Sequence, residues 1–349
     1  MSADAPGRPL ADPAGERRAD AASRRGPVTG RRPDFFIVGH EKCGTTALYN
    51  ILRQHPQIFM PDLKEPRFFV GDPAARPQPP AGAAPALPRT LEEYLALFAP
   101  AADDQLAGEA SPQYLRQPAA AARIAELQPG ARIIAIVREP VSFLRSYHLH
   151  NLRERIETER SLRKALALEA ERREGRRIPR RAHGRGRLMY AEAVRYVEQL
   201  ERFEHALGAE RVLVLIYEDF RADNAAAVGA VLRFLGVSDD LEFSPSEVRR
   251  ERKAVRVRSA HRLALALRRA RRQPERSGRL MRAVDAVTPR ALRGQGFEDA
   301  MRRLVFAPAG PLDDDLTTEL RLRFKAEVVA LSAHLGRDLV AEWGYEDVV

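Results

Sequence analysis

One cysteine, Cys43, and one tryptophan, Trp343, serve a chain of 349 residues. A single thiol excludes a disulfide framework and a cysteine-built metal site. No apolar run approaches the length of a bilayer-crossing helix, and the first residues lack the apolar segment of a secretory signal. Zinc-finger spacing, helix-turn-helix spacing and aromatic RNA-binding motifs are all missing, so nucleic acid is not the expected partner. These absences predict a soluble chain in a reducing compartment, the cytoplasm, with no metal site. A hydrophobic fraction of 44% is enough for a substantial core. The net charge of +10 is carried almost wholly by arginine. It suits an anionic small molecule or an acidic surface, and it also suits the arginine bias of a GC-rich genome.

Composition divides the chain. Residues 1–33 are rich in Ala, Arg, Asp, Gly and Pro without apolar periodicity, which predicts a disordered tail ahead of one domain over 34–349. Strand-like and helix-like segments then alternate. Strands are expected at Asp34–Val38, Gln105–Ala110, Ala131–Val137 and Arg211–Tyr217. Helices are expected at about Thr45–Gln54, Leu91–Phe98, Pro118–Leu127, from near Val141, and at Leu162–Glu174, Tyr190–Leu207 and Asn224–Leu235. Thr90 and Glu93 have the spacing of a capping box. Pro56–Phe69 reads as a loop, 71–89 as a Pro/Ala-rich excursion, 172–187 as a basic loop, and 249–345 as a helical carboxyl-terminal part. The alternation predicts an α/β, P-loop-like three-layer fold with a central, mostly parallel sheet flanked by helices and ligands at the strands' carboxyl ends.

Two segments at such ends carry the chemistry. After the apolar run Phe35–Val38, the loop Gly39-His40-Glu41-Lys42-Cys43-Gly44-Thr45-Thr46-Ala47 opens a helix, the arrangement in which backbone N–H groups and a helix N-terminus hold an anion. The nucleotide-hydrolase loop places lysine directly after its second glycine. Here Thr45 stands there, and the lysine sits inside the loop as Lys42. After Ala131–Val137 comes Arg138-Glu139-Pro140, then Ser146 on the following helix. An arginine at a strand end grips phosphate through two parallel hydrogen bonds, and a serine hydroxyl eight residues later reaches the same anion.

Together the two motifs resemble the sulfotransferases that use 3′-phosphoadenosine 5′-phosphosulfate (PAPS), and look closest to the branch with bacterial enzymes and heparan-sulfate sulfotransferase domains. The likeness continues through Lys64-Glu65-Pro66-Arg67-Phe68-Phe69, Gly108-Glu109-Ala110-Ser111-Pro112 and Leu213–Phe220. It implies that Lys42, Cys43, Gly44, Thr45, Thr46 and Ala47 hold the 5′-phosphosulfate end, and that Arg138 and Ser146 hold the 3′-phosphate. It also implies that Glu65 is the general base, with Arg67 toward the acceptor. Two positions depart from heparan-sulfate 3-O enzymes: Arg67 replaces a histidine, and Ala110 a lysine.

Sulfuryl transfer asks mainly for positioning and charge stabilisation. Lys42 within the loop suits the charge that builds on the leaving oxygen, and a hydroxyl acceptor needs a base. His148 and His150 are the runners-up to Glu65 for that task. Glu109 reads as a brace, and Cys43 as a small residue that fits the loop. The acceptor is expected to be a small molecule or a carbohydrate, with PAPS as co-substrate. The alternatives are a P-loop phosphotransferase or nucleotide hydrolase, and a non-catalytic module binding PAP or an anionic glycan. Arg256 or Arg258 is a further candidate for the 3′-phosphate, and Leu263–Arg272 for a membrane-surface or partner contact.

Overall fold

The computed structural model describes residues 30–76, 87–182, 184–239, 253–255, 306–308 and 312–348. The tail to residue 29, Arg256, Arg258 and the segment Leu263–Arg272 lie outside the described residues.

In chain order the elements begin with β1 (Phe35–Gly39), α1 (Thr45–Leu52), β2 (Ile58–Phe59), α2 (Leu91–Leu95), β3 (Leu106–Ala110), α3 (Ala120–Leu127) and β4 (Arg132–Val137). Next come α4 (Pro140–Arg153), α5 (Leu162–Ala167), α6 (Glu169–Arg173), α7 (Tyr190–Ala193), α8 (Tyr196–Leu207) and β5 (Val212–Ile216). The chain continues through α9 (Tyr217–Ala222), α10 (Asn224–Leu235), β6 (Lys253–Val255), β7 (Phe306–Pro308), α11 (Asp314–Leu335) and α12 (Leu339–Glu342).

β1 to β5 form one sheet in the order β2-β3-β1-β4-β5, parallel throughout. Every residue of β1 and all but the first of β4 are buried. A strand buried on both faces needs cover on both, so these continuous apolar runs dictate layers of helices over each face of the sheet. α1 packs on β1 and β3, α10 on β5, and α8 on β4 and β5, with α3 and α11 against α8. The main core is one cluster from Phe35 to Tyr345, with a small separate one of Ile156, Ala182 and Leu188. β6 and β7 pair separately as an antiparallel ribbon.

Local chemistry sets the element ends. Thr90 and Glu93 form the expected capping box at α2, and α10 closes on Gly236 in the left-handed conformation. At Gly108 a side chain is excluded, because a Cβ there would lie 2.2 Å from the Phe35 ring and 2.4 Å from Met60 Sδ. Three expectations change. Pro56–Phe69 contains the two-residue strand β2. The helix expected at Leu162–Glu174 is two helices that meet at Leu168, and Tyr190–Leu207 is broken at Val194–Arg195. The basic segment 172–187 opens on α6, where Arg172 is buried and ion-paired to Glu157 at 2.8 Å.

Candidate functional site

β1 lies between β3 and β4: the chain leaves it toward β2 on one side, and β3 later crosses back over it to β4 on the other. Its carboxyl end is the switch point of the sheet, the usual place for ligands in such folds. The loop from Gly39 enters α1 there. Gly44 caps α1 in the left-handed region (φ 89°), and a Cβ would meet the Phe220 ring at 3.0 Å. Lys42 also holds a positive φ, 79°. As a glycine, the N-cap has no side chain to offer α1, and no acidic residue lies in the first turn, so the N-terminal N–H groups and positive dipole end suit an anion. The N-terminus of α4 differs. There Glu139 accepts from the N–H groups of Val141 and Ser142 at 2.9 and 2.6 Å and from the Tyr345 hydroxyl at 2.6 Å.

Cys43 is wholly buried, and burial pushes its thiol up to about 12. That makes it an inert filler of the loop. His40 is also buried. Burial, followed by the Arg116 charge, holds its imidazole down to about 3. Its Nε2 bonds Gln199 Oε1 at 2.9 Å, while Gln199 Nε2 donates to the Glu192 carbonyl. The amide oxygen therefore faces His40, which makes Nε2 the protonated nitrogen. Glu41 is buried too. Burial opposes its charge, but Arg116 at 3.4 Å and Arg187 at 3.7 Å outweigh it and hold the carboxyl down to about 2. Arg187 thus ties the end of the basic segment to the residue beside Lys42.

Arg138 leaves β4 and turns back into the cradle. Its Nη1 donates to the Lys42 carbonyl at 2.8 Å, and Nε and Nη2 donate to Ser142 Oγ at 3.0 and 2.7 Å. The guanidinium lies 4.3 Å from the centre of the Tyr217 ring, and Glu218 stands 3.9 Å away. α8 braces both motifs: Tyr196 donates to the Arg138 carbonyl at 2.8 Å, and Gln199, one turn on, holds His40. Ser146 is buried on α4 one turn beyond Ser142. Burial and then the like charge of Arg138 lower Arg145, the residue before Ser146 in the chain. The fold thus brings the two motifs together. Ser142, Arg145, Tyr217, Arg116 and Arg187 join them, although nothing in their sequence spacing marks them.

The Glu65 segment follows β2 and runs past the end of β3, where Glu65 N–H donates to the Ala110 carbonyl at 3.1 Å and Arg67 N–H to Ser111 Oγ at 3.1 Å. Both residues have left-handed backbones, φ 60° and 55°. The Glu65 carboxylate accepts from Lys64 at 2.8 Å and from Arg67 at 2.5 Å. Burial opposes its charge, yet these two cations prevail and hold it below the usual carboxylate range.

The runner-up histidines sit differently. His148 is buried, bonded through Nε2 to the Glu159 carbonyl, and lowered by that burial. His150 accepts from Arg153 at 3.0 Å and is held down to about 4 by burial, then by Arg187, Arg153 and Lys42. Among the described residues, no helix is long and apolar enough to cross a membrane.

Comparison with known proteins bears on the family and the fold. The model of the Sulfotransferase family matches residues 33–241, more than half of the chain. The crystal structure of a sulfotransferase from Alicyclobacillus acidocaldarius superposes with a TM-score of 0.62 at 28% identity, covering 90% of this chain and 99% of that one. Human heparan sulfate glucosamine 3-O-sulfotransferase 6 is 32% identical over 138 residues, 40% of this chain and 32% of that protein. Mouse bifunctional heparan sulfate N-deacetylase/N-sulfotransferase 4 is 26% identical over 223 residues, 61% of this chain and 23% of that protein. The chain spans about a third or less of the length of these curated relatives.

Proposed function

The chain belongs to the sulfotransferase family, and on that premise we propose that it transfers a sulfuryl group from PAPS to a hydroxyl or amine of an acceptor, a carbohydrate being the favoured class. The observation that carries this reading is the pairing of a glycine-capped, acid-free α1 N-terminus with Lys42 and the buried Arg138 at the carboxyl ends of the adjacent strands β1 and β4. Each of these groups favours an anion. The heparan-sulfate enzymes among the relatives support the acceptor class.

When bound, PAPS supplies the sulfuryl group and leaves as PAP. In this reading the amides of Gly44, Thr45 and Thr46 receive the 5′-phosphosulfate end, those of Cys43 and Ala47 donating to the His40 and Gly44 carbonyls at 3.2 and 2.8 Å, and Lys42 offers its ammonium to the charge that grows on the leaving oxygen. Arg138 and Ser146, with Arg145 beside them, receive the 3′-phosphate. Because Arg138 also holds the Lys42 carbonyl, one side chain links the two ends of the donor site. Glu65 takes the proton from the acceptor oxygen. Its pairing with Lys64 and Arg67 keeps it ionised, hence ready to accept that proton, at the expense of some basicity.

The nucleotide-hydrolase alternative needs a lysine directly after Gly44, where this chain has Thr45. Labelled PAPS offered with a panel of glycans, phenols and amines tests the proposal. Label should reach at least one acceptor class, and Glu65→Gln should slow the transfer by about 10²-fold or more while PAP still binds. Full transfer by that variant would remove Glu65 from the reading. Absence of transfer to every class, with PAP bound tightly, would favour a non-catalytic module.

A further inference from the structure

Behind the Glu65 segment lies a carboxylate that the chemistry above does not use. Glu109, on β3, is fully buried. Its Oε2 accepts from the Tyr94 hydroxyl at 2.6 Å and the Tyr114 hydroxyl at 2.9 Å, while its Oε1 is buried without a hydrogen-bond partner among the described residues. The two tyrosine rings form the floor of the loop that carries Glu65. Tyr94 stacks on Phe68 at 4.5 Å and meets Phe69 edge-on at 5.5 Å. Tyr114 meets Phe69 edge-on at 5.4 Å, and its hydroxyl accepts from the Phe69 N–H at 3.5 Å. The residues after Glu109 hold the other end, through the Ala110 carbonyl and Ser111 hydroxyl that receive the Glu65 and Arg67 amides.

Two consecutive odd-numbered residues with left-handed backbones, Glu65 and Arg67, need such over-determination. Positive φ is costly for residues with a Cβ and persists only where surrounding contacts enforce it. We propose that Glu109 is the positioning residue of this loop: by accepting both tyrosine hydroxyls it fixes the rings on which Phe68 and Phe69 seat, and so holds Glu65 and Arg67 in their left-handed conformations. The consequence for transfer rests on Glu65 being the base; the positioning itself does not.

The chemistry at Glu109 fits a retained polar clasp. An apolar residue would leave two buried hydroxyls unsatisfied, which costs more than a merely weakened bond. The groups facing it are Tyr94, Tyr114, Ser111 and Lys64. Burial lifts its carboxyl to about 7 against the opposing pull of those groups. Lys64 also bonds Glu65, so one ammonium serves both carboxylates.

Amide hydrogen exchange at Glu65, Arg67 and Phe69 reads the loop directly, without an acceptor. Glu109→Leu removes the clasp, whereas Glu109→Gln keeps an acceptor oxygen in place. The leucine variant should exchange at these three amides about tenfold faster or more, and the glutamine variant should remain within about threefold of the parent. Wild-type protection in Glu109→Leu, or equal loss in Glu109→Gln, would overturn the proposal. Should Glu109→Leu fail to fold, Tyr114→Phe decides. It should speed exchange at Glu65 and Arg67, whose amides bond Ala110 and Ser111 and not the lost hydroxyl, while its circular dichroism stays native, and unchanged exchange there would refute the clasp. Calorimetric titration with PAP on the same samples separates the two readings. A parent protein that binds no PAP would sink the donor assignment and leave the loop result standing.

Discussion

Lys42, Glu65 and Arg67 share a backbone state that side chains rarely adopt, with φ values of 79°, 60° and 55°. All three belong to the segments assigned to donor and acceptor. Lys42 shows how such strain is held, since its carbonyl receives the Arg138 guanidinium and its loop is filled by the buried Cys43. Glycine adopts positive φ freely, whereas alanine does not. Lys42→Gly is therefore expected to melt higher than Lys42→Ala, by the equivalent of about 1 kcal/mol, while both lose the ammonium and bind PAP at least tenfold more weakly than the parent. Equal melting of the two variants would count against the strain. Cys43 gives a second expectation at this scale. With its thiol pushed up to about 12, native protein at pH 8 should resist iodoacetamide under conditions that label the unfolded chain fully.

The cradle residues were legible because their order in the chain is itself the motif. The partners of Arg138 were not. Its bond to the Lys42 carbonyl crosses 96 positions of sequence, and its choice of Ser142 depends on how α4 leaves β4. The clasp at Glu109 was equally hidden, because it requires Tyr94, Tyr114 and β3 to meet in space.

At the scale of elements, the sheet was legible wherever a strand is an apolar run. β1 and β4 are buried almost throughout and β5 only toward its carboxyl end, yet all three read as apolar runs, and the structure shifts their limits by a residue or two. β2 is two residues long and follows Pro56, too short for any periodicity to register. The break between α7 and α8 at Val194–Arg195 carries no glycine or proline, so nothing in the local sequence announces it. The capping box at α2 was legible, because its spacing is the mechanism. Thr90 accepts from the Glu93 N–H at 3.2 Å, and Glu93 accepts from the Thr90 N–H. Thr90→Ala should lower stability by about 1 kcal/mol in urea titration, with the slope unchanged. No change in the midpoint would show that the box contributes nothing.

Across the whole molecule, the buried titratable groups oppose one another in acid. His40, held down to about 3, contributes stability that is fully present above its ordinary 6.5 and is lost as the pH falls through 3. Glu109 has the opposite sign. Its carboxyl is lifted from 4.5 to about 7, so its contribution is fully present below 4.5 and is lost as the pH rises through 7. Comparing the parent with Glu109→Gln cancels the other groups. Between pH 4.5 and 8 the parent should lose roughly 3 kcal/mol relative to the variant, as judged from urea midpoints. A difference that does not vary with pH would mean that Glu109 titrates at its ordinary value.

The two motifs together are built to receive one anion. Isothermal titration of the parent, Lys42→Ala and Arg138→Ala with PAP and with ATP–Mg²⁺ tests it most directly. PAP should bind the parent at about micromolar dissociation constants or tighter, at least tenfold more weakly in either variant, and ATP–Mg²⁺ should bind about a hundredfold more weakly than PAP. Tighter binding of ATP–Mg²⁺ than of PAP, or PAP binding indifferent to both substitutions, would contradict the account.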